Sequence, residues 1–234
     1  EASYQKAIKI FSVWDDNDYG ENDAGREFAY RDQSKTLFLD FFEIPDNAPV
    51  RMRPGNYRAG ELLLDHVRVQ VLMLDTRYFR SPLKYHPGQS ACNNHLIENT
   101  DAEATILGDA QWFWLEQQLK QPADLRLIIS SIQLIPKENC YEKWANFPAE
   151  RKRLFDLIKM TRAEGVLILS GDRHFAEISK LPSEYVGYPI YEVTSSGLNK
   201  ALNEDDDRRY EKNSFRVAKH NILEDNFGNI RVIS

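Results

Sequence analysis

Short apolar runs that stop at acidic residues constrain the fold of this chain more than any other feature. Residues 10–14, 67–74 and 166–169 form such runs, and an aspartate follows directly or shortly after each one. A long β-branched run spans 125–135, a shorter one spans 190–194, and two weaker strands are expected near the end of the chain. Runs of this length predict β-strands, and a fully apolar run such as 166–169 is typical of a strand covered on both faces.

Helical periodicity occupies the stretches between these runs. One helix is expected within residues 25–44, a second from Gly108, and a third from Pro148 with Gly165 as its C-terminal cap. The predicted buried positions of the three helices are Phe38, Phe41 and Phe42; Trp112, Leu115 and Leu119; and Leu154, Leu157 and Ile158. Strands that alternate with helices predict an α/β fold. No repeat, linker or break in composition divides the chain, so residues 1–234 are expected to form one domain.

Composition excludes several classes of protein. The 234 residues include 30 Lys and Arg against 36 Asp and Glu, a net charge of −6, which makes the chain a poor candidate for general binding to nucleic-acid phosphates. No stretch approaches the roughly 20 consecutive apolar residues of a membrane-spanning helix. Two cysteines, Cys92 and Cys140, exclude a disulfide-rich scaffold and permit one bridge or none.

The turn that contains Asp172 and His174 is the sharpest local sign of chemistry. A strand that leads into Gly-Asp-x-His places a carboxylate and an imidazole on one turn, and both groups are metal ligands. Arg173 lies between them, and its planar guanidinium matches the oxygens of a phosphate. The alternative is a turn with a solvated aspartate and a hydrogen-bonded histidine.

An acidic loop follows the first apolar run. Residues 15–18 read DDND, and their oxygen-bearing side chains repel one another unless a cation lies among them. The spacing does not fit an EF-hand, and an Asx-rich turn is the alternative interpretation. Because ligand sites of open α/β sheets lie at the carboxyl ends of strands, we expect Asp15, Asp16 and Asp172 to converge. Asp75 and Arg77 end another strand, where they form either a buried ion pair or part of the same site.

Several motifs in order along the chain together resemble the PhoD-like alkaline phosphatase family, a branch of the metallophosphoesterases. They are WDDNDYG (14–20), NDAGRE (22–27), LDTRYFR (74–80), SSIQ (130–133), SGDRHFAE (170–177) and EVTSSGL (192–198). The resemblance implies two packed β-sheets flanked by helices, a metallophosphoesterase-like sandwich that this chain need not contain in full. It also implies hydrolysis of phosphomonoesters or phosphodiesters, calcium and iron as the metals, and a secreted or periplasmic location.

The resemblance also assigns roles to residues by position. Asp172 and His174 match late metal ligands of the family, Asp16 ends its second metal-binding loop, and Asn22 lies in that loop. Arg173 would bind the substrate phosphate. The residues expected to support the site from behind these ligands are Asp15, Asp75 and Arg77.

Two departures from the family pattern bear on activity. The family has histidine where this chain has Asn17, and an amide can donate a hydrogen bond but cannot transfer a proton at neutral pH. The family's Gly-Asp-x-x-Tyr loop, its bridging aspartate and a preceding cysteine are expected before Glu1, so the chain is expected to be a fragment. Impaired catalysis at Asn17 is therefore one expectation. The alternatives are an inactive family-derived binding protein and a calcium-stabilised structural module.

Overall fold

A six-stranded mixed sheet forms the centre of the chain. The computed structural model describes residues 9–88, 96–203 and 205–233. In chain order the elements are α1 (Asp16–Tyr19), α2 (Arg31–Phe41), β1 (Arg58–Leu64), β2 (Val67–Met73), β3 (Lys84–Tyr85), β4 (Leu96–Ile97), α3 (Gly108–Leu119), β5 (Leu125–Ser130), α4 (Pro148–Thr161), β6 (Val166–Ser170), β7 (Ala176–Leu181) and β8 (Ile190–Ser195). Short 3-10 turns lie at Pro49–Met52, Trp144–Asn146 and Asp207–Tyr210. Cys92 lies outside the described residues.

The sheet order is β1-β2-β5-β6-β8-β7, and the four inner strands run parallel. β1 and β7 close the two edges as antiparallel strands. β3 and β4 form a separate two-stranded sheet. In the chain, α3 lies between β2 and β5 and α4 lies between β5 and β6, which confirms the α/β prediction.

One face of the sheet is covered by α3 and α4 along its parallel centre. Leu72, Ile128 and Ile168 point to this face and belong to one buried cluster with the two helices. The helix residues of that cluster include every predicted buried position of α3 and α4: Trp112, Leu115, Leu119, Leu154, Leu157 and Ile158. This layer fixes the carboxyl ends of the parallel strands in space, where the candidate site lies.

The opposite face of the sheet is only partly covered. Leu125, Leu127 and Ile129 of β5 point to it and remain partly exposed, next to the buried residues Val69 and Val71 of β2. Phe11 and Val13 of the first apolar run pack there. Segment 9–15 therefore covers part of this face.

The prediction of a strand at 10–14 is wrong. These residues carry no ladder pairing, and side chains fix the segment instead. Trp14 donates from Nε1 to Asp75 at 2.9 Å, and Arg58 donates to the Ser12 carbonyl at 2.7 Å. An apolar run predicts that side chains are buried, but a β-strand forms only where a neighbouring strand pairs with the backbone.

Other boundaries also differ from the predictions. β5 ends at Ser130 rather than 135, and Phe41, expected to be buried on α2, is 80% exposed on its outer face. Arg162, with φ 53°, is the C-cap of α4 in place of Gly165. Near the chain end the described residues form isolated bridges at Ile222 and Arg216 instead of strands. No helix in the described part is long and apolar enough to cross a membrane.

Glu192 of β8 supplies hydrogen-bond acceptors to the part of the 125–135 run that lies beyond the end of β5. Its carboxylate is 0% exposed and accepts hydrogen bonds from the backbone N–H groups of Leu134 at 2.8 Å and Ile135 at 2.6 Å. These two N–H groups are therefore satisfied by a side chain and need no neighbouring strand.

We expect the free energy of unfolding to fall as pH rises because of Glu192. Burial raises the pKa of Glu192 from 4.5 to about 7, against the lowering effect of the two backbone N–H groups. Between these values the folded state keeps a proton that the unfolded chain loses, so the free energy of unfolding should drop by about 3 kcal/mol as pH rises from 4.5 to 7. Urea unfolding of the wild type and Glu192→Gln at pH 5 and pH 8 measures this, because the variant should lose that part of the pH dependence. Parallel pH dependences would contradict it.

Candidate active site

Two predicted acidic segments meet at the carboxyl ends of β5 and β6. Asp15, Asp18 and Asp172 line one cavity of about 280 Å3, together with Ser130 and Ser131. Asp15 and Asp172 are far apart in the sequence. Asp172 follows β6, whereas Asp15 follows the unpaired segment 10–14, which packs on the sheet through Phe11 and Val13. The predicted convergence therefore holds for these two residues.

Asp16 lies beside this cavity and stabilises the acidic loop. Its carboxylate accepts hydrogen bonds from the backbone N–H groups of Asn17 at 2.7 Å and Asp23 at 3.2 Å. Asp16 is buried, whereas the side chains of Asn17 and Asn22 are exposed. Within the described residues, both carboxylate oxygens of Asp16 thus accept hydrogen bonds from the loop backbone, as the Asx-turn interpretation predicts.

The Gly-Asp-Arg-His turn has an unusual backbone. Asp172 (φ 70°) and His174 (φ 60°) both lie in the left-handed region, which is costly for residues other than glycine. Gly171 donates from its backbone N–H to the Ser131 carbonyl at 3.0 Å, and His174 donates to the Ser196 hydroxyl at 3.1 Å. Contacts from the loops after β5 and β8 thus hold the turn in this conformation.

Asp172 is in an environment that disfavours its negative charge. Burial raises its pKa well above the ordinary range and Asp15 raises it further, while Arg173 and Arg77 lower it. Among the described residues, none donates a hydrogen bond to the Asp172 carboxylate. A cation between Asp15 and Asp172 would relieve this repulsion.

His174 is kept neutral by its surroundings. Burial lowers its pKa from 6.5, and the positive charges of Arg208 and Lys200 lower it further. A neutral imidazole has a lone pair free for a metal or a proton.

Arg77 is the centre of a buried ion-pair network behind the cavity. It forms an ion pair with Asp15, with Nε 2.8 Å from the carboxylate, and another with Glu142 at 2.6 Å. Arg80 approaches Glu142 at 2.9 Å, and both arginines are fully buried. Arg77 thereby fixes the position of Asp15, one of the three carboxylates that line the cavity.

Sequence reasoning missed Glu142. Two buried arginines three positions apart require more acidic partners than the single aspartate of their own motif, and that requirement was the available sign. The identity of the acid could not be read from the sequence, because Glu142 lies in a loop far along the chain.

Asp75 has a structural role. Its carboxylate accepts hydrogen bonds from Trp14 Nε1 and from the backbone N–H groups of Asn56, Arg77 and Tyr78 at 2.7–3.0 Å. It caps the turn that carries the Arg77 side chain. It makes no ion pair with the Arg77 guanidinium, which corrects the expected Asp75–Arg77 pair.

The guanidinium of Arg173 already forms an ion pair. It lies 2.6 Å from the Glu211 carboxylate and 4.2 Å from the centre of the Tyr141 ring, and the side chain is buried. Its Nε is buried without a hydrogen-bond partner among the residues that the structure describes. A phosphate would have to compete with Glu211 for this guanidinium.

The donor chemistry fits a cation, but the set is incomplete. Asp172 and Asp16 offer carboxylate oxygens and His174 offers an imidazole, the ligand types that hard and transition-metal cations take. Within 9–88, 96–203 and 205–233, no three His, Cys, Asp or Glu side chains are close enough together to hold a metal ion. These residues can therefore supply only some of the ligands of a metal centre.

Comparisons with known proteins bear on this geometry. The profile of the family "PhoD-like phosphatase" matches residues 7–232. Alkaline phosphatase D of Bacillus subtilis (strain 168) is 23% identical over 197 residues, which cover 74% of this chain and 32% of that protein. A solved structure of PhoD matches with a TM-score of 0.66 and 19% identity, over 91% of this chain and 45% of that chain.

The structural likeness shows that the fold is shared. The chain spans about a third of the length of the curated relative and less than half of the solved chain. The family profile covers nearly all of the chain. On that match, the chain belongs to the PhoD-like phosphatase family.

Proposed function

We propose that this chain takes part in the metal-dependent hydrolysis of phosphoric esters, either monoesters or diesters. The observation that carries the proposal is the cavity that Asp15 and Asp172 share, where the Asp172 carboxylate lies beside a second carboxylate and accepts no hydrogen bond from the described residues, while Asp15 is held by Arg77. Family membership supports the phosphoesterase class of reaction.

We assign Asp16, Asn22, Asp172 and His174 as ligands, with calcium and iron as the candidate metals. When bound, such ions neutralise charge on the phosphate oxygens and acidify a water molecule. The remaining ligands would come from residues outside those described. This interpretation agrees with residues 1–234 being part of one phosphatase domain, because one sheet face is only partly covered.

Several described residues would position the metal ligands and the substrate. Arg77, held by Glu142, orients Asp15 toward the cavity, and the neutral imidazole of His174 presents a lone pair. Arg173 would bind a phosphate oxygen in exchange for Glu211. Asn17 would donate a hydrogen bond to the substrate without transferring a proton, which impairs catalysis.

Metal analysis of a double variant tests the proposal. We expect Asp172→Ala, His174→Ala to hold less metal than the wild type, because it loses one carboxylate and one imidazole ligand. Hydrolysis of p-nitrophenyl phosphate and bis(p-nitrophenyl) phosphate by the metal-loaded wild type should fall with the metal content. Asp156→Asn, on the exposed face of α4, is the matched control. Equal metal content in a double variant that still folds would refute the ligand assignment.

An inactive metal-binding or calcium-stabilised module is the second candidate. The observation that favours it is the incomplete ligand set among the residues described, together with Asn17 in place of histidine. Calcium that raises the melting temperature of the wild type without any turnover of either ester would favour this candidate over the hydrolase.

A further inference from the structure

A second polar cavity lies beside α2. It has a volume of about 440 Å3 and shares no lining residue with the cavity of Asp15 and Asp172. Three cationic side chains, Lys35, Arg51 and Arg53, and one carboxylate, Asp32, line it. An excess of positive charge in one cavity is notable in a chain whose net charge is −6.

Lys35 is the least solvated cation of this cavity. Its side chain is buried, with the residue 7% exposed, and the ammonium donates to the carbonyl of Arg53. Among the described residues, no carboxylate lies within ion-pair distance of it. Burial lowers the pKa of Lys35, and Arg53 lowers it further against the raising effect of Asp32. An ammonium has three N–H donors, so this group has capacity for further acceptors.

Arg53 also has donor capacity left. One terminal nitrogen donates to the Tyr57 carbonyl at 2.5 Å, and the guanidinium lies 3.9 Å from the centre of the Tyr57 ring. Its Nε is buried and has no partner in the described part of the chain. The Tyr57 ring thus fixes the plane of the guanidinium beside the cavity.

The neighbouring charges compensate these two cations only in part. Arg51 is committed to Asp40 at 2.8 Å and to the carbonyl of Ile44. Asp32, the single carboxylate of the lining, accepts a hydrogen bond from the Tyr78 hydroxyl at 2.7 Å. Lys35 and Arg53 are therefore the groups for which an anion in the cavity would supply the missing acceptors.

We propose that this cavity binds a phosphate-type oxyanion through Lys35 and Arg53. The planar guanidinium pairs well with phosphate oxygens, and the ammonium adds a compact charge with several donors. The volume lies in the range of small-molecule sites, about 300–1,000 Å3. The anion is either inorganic phosphate or the phosphoryl group of an organic ester, and both present the same oxygens.

Amide chemical-shift mapping of the whole chain with inorganic phosphate tests the site without any substitution. We expect saturable shifts in α2 and in the 3-10 turn at Pro49–Met52. Shifts confined to 15–18 and 171–174, or equal shifts with sodium chloride at the same ionic strength, would overturn the proposal. Phenyl phosphate in a parallel titration separates the two sources of the anion: shifts at the same residues place phosphoryl esters there, and their absence restricts the site to free phosphate.

Substitution of Lys35 gives the quantitative test. Lys35→Met should weaken phosphate binding at these residues by roughly ten- to a hundredfold, since hydrogen bonds to charged groups contribute about 1.5–3 kcal/mol. Lys159→Met removes the same charge from the exposed face of α4 and should leave the affinity unchanged. Equal affinity of the wild type and a folded Lys35→Met variant would refute the role of Lys35.

Discussion

The Glu142→Gln variant is expected to lose about 1–2 kcal/mol of folding free energy at pH 8, because unpairing the buried arginines costs about 3–5 kcal/mol and removing the buried charge of Glu142 itself offsets about 3 kcal/mol of this cost. Glu142 is fully buried and approaches Arg77 at 2.6 Å and Arg80 at 2.9 Å. Burial raises the pKa of Glu142 to about 7 despite the two arginines, so the carboxylate is ionised at pH 8. Without its charge, Arg80 keeps only the carbonyls of Asp23 and Ser81 as partners among the contacts described. A buried cation without a counter-charge is costly because it has lost its hydration.

Urea unfolding followed by circular dichroism measures this loss. Asp156→Asn is the matched control, because Asp156 pairs with Lys152 at 2.6 Å on an exposed helix face. That substitution should change stability by no more than about 0.5 kcal/mol. Arg80→Gln added to Glu142→Gln should restore part of the loss, since it removes the uncompensated cation. A Glu142→Gln variant as stable as Asp156→Asn would show that the network contributes nothing.

The parallel centre of the sheet could be predicted because its residues carry their own pattern. β6 is a fully apolar run, and α3 and α4 repeat apolar residues at helical spacing. The edge strand β7 gave no comparable pattern, because polar Glu177 and Ser179 occupy buried positions whereas Ile178 is 44% exposed. Segment 10–14 shows the opposite error: its apolar side chains are partly buried, but no strand pairs with its backbone.

The candidate site could be predicted only in part. The convergence of Asp15 and Asp172 was predicted on the premise that both follow strands, but only Asp172 does. Asp15 follows the unpaired segment 10–14 and is held in place by Arg77. The partners of the arginines could not be predicted in the same way. Arg77 with Glu142 and Arg173 with Glu211 are pairs between distant loops, and sequence spacing carries no information on such contacts. The guanidinium of Arg173, expected to be free for phosphate, is for that reason already paired.

We expect Asn17→His to raise the rate with alkyl phosphates by about 10²–10⁴-fold in the metal-loaded protein, the usual contribution of a general acid. Asn17 is exposed on α1, between Asp16 and Asp18, next to the cavity that Asp15 and Asp18 line. Carboxylates around an imidazole favour its protonated form, so a histidine there would carry the proton that a leaving alkoxide needs. Nitrophenolate leaves without a proton, and the gain with nitrophenyl phosphate should be much smaller.

The ratio of the two gains in kcat/KM separates proton transfer from improved binding. Asn17→Gln is the matched control, because it keeps an amide that donates hydrogen bonds without an acidic proton and should improve neither substrate. Equal gains for both esters would mean that the histidine binds the phosphate instead of protonating the leaving group. A wild type that already hydrolyses alkyl esters with a kcat of roughly 1–10³ s⁻¹ would contradict the impaired-enzyme interpretation. In that case the reaction takes its proton from another group, and Asn17 is a substrate-binding residue.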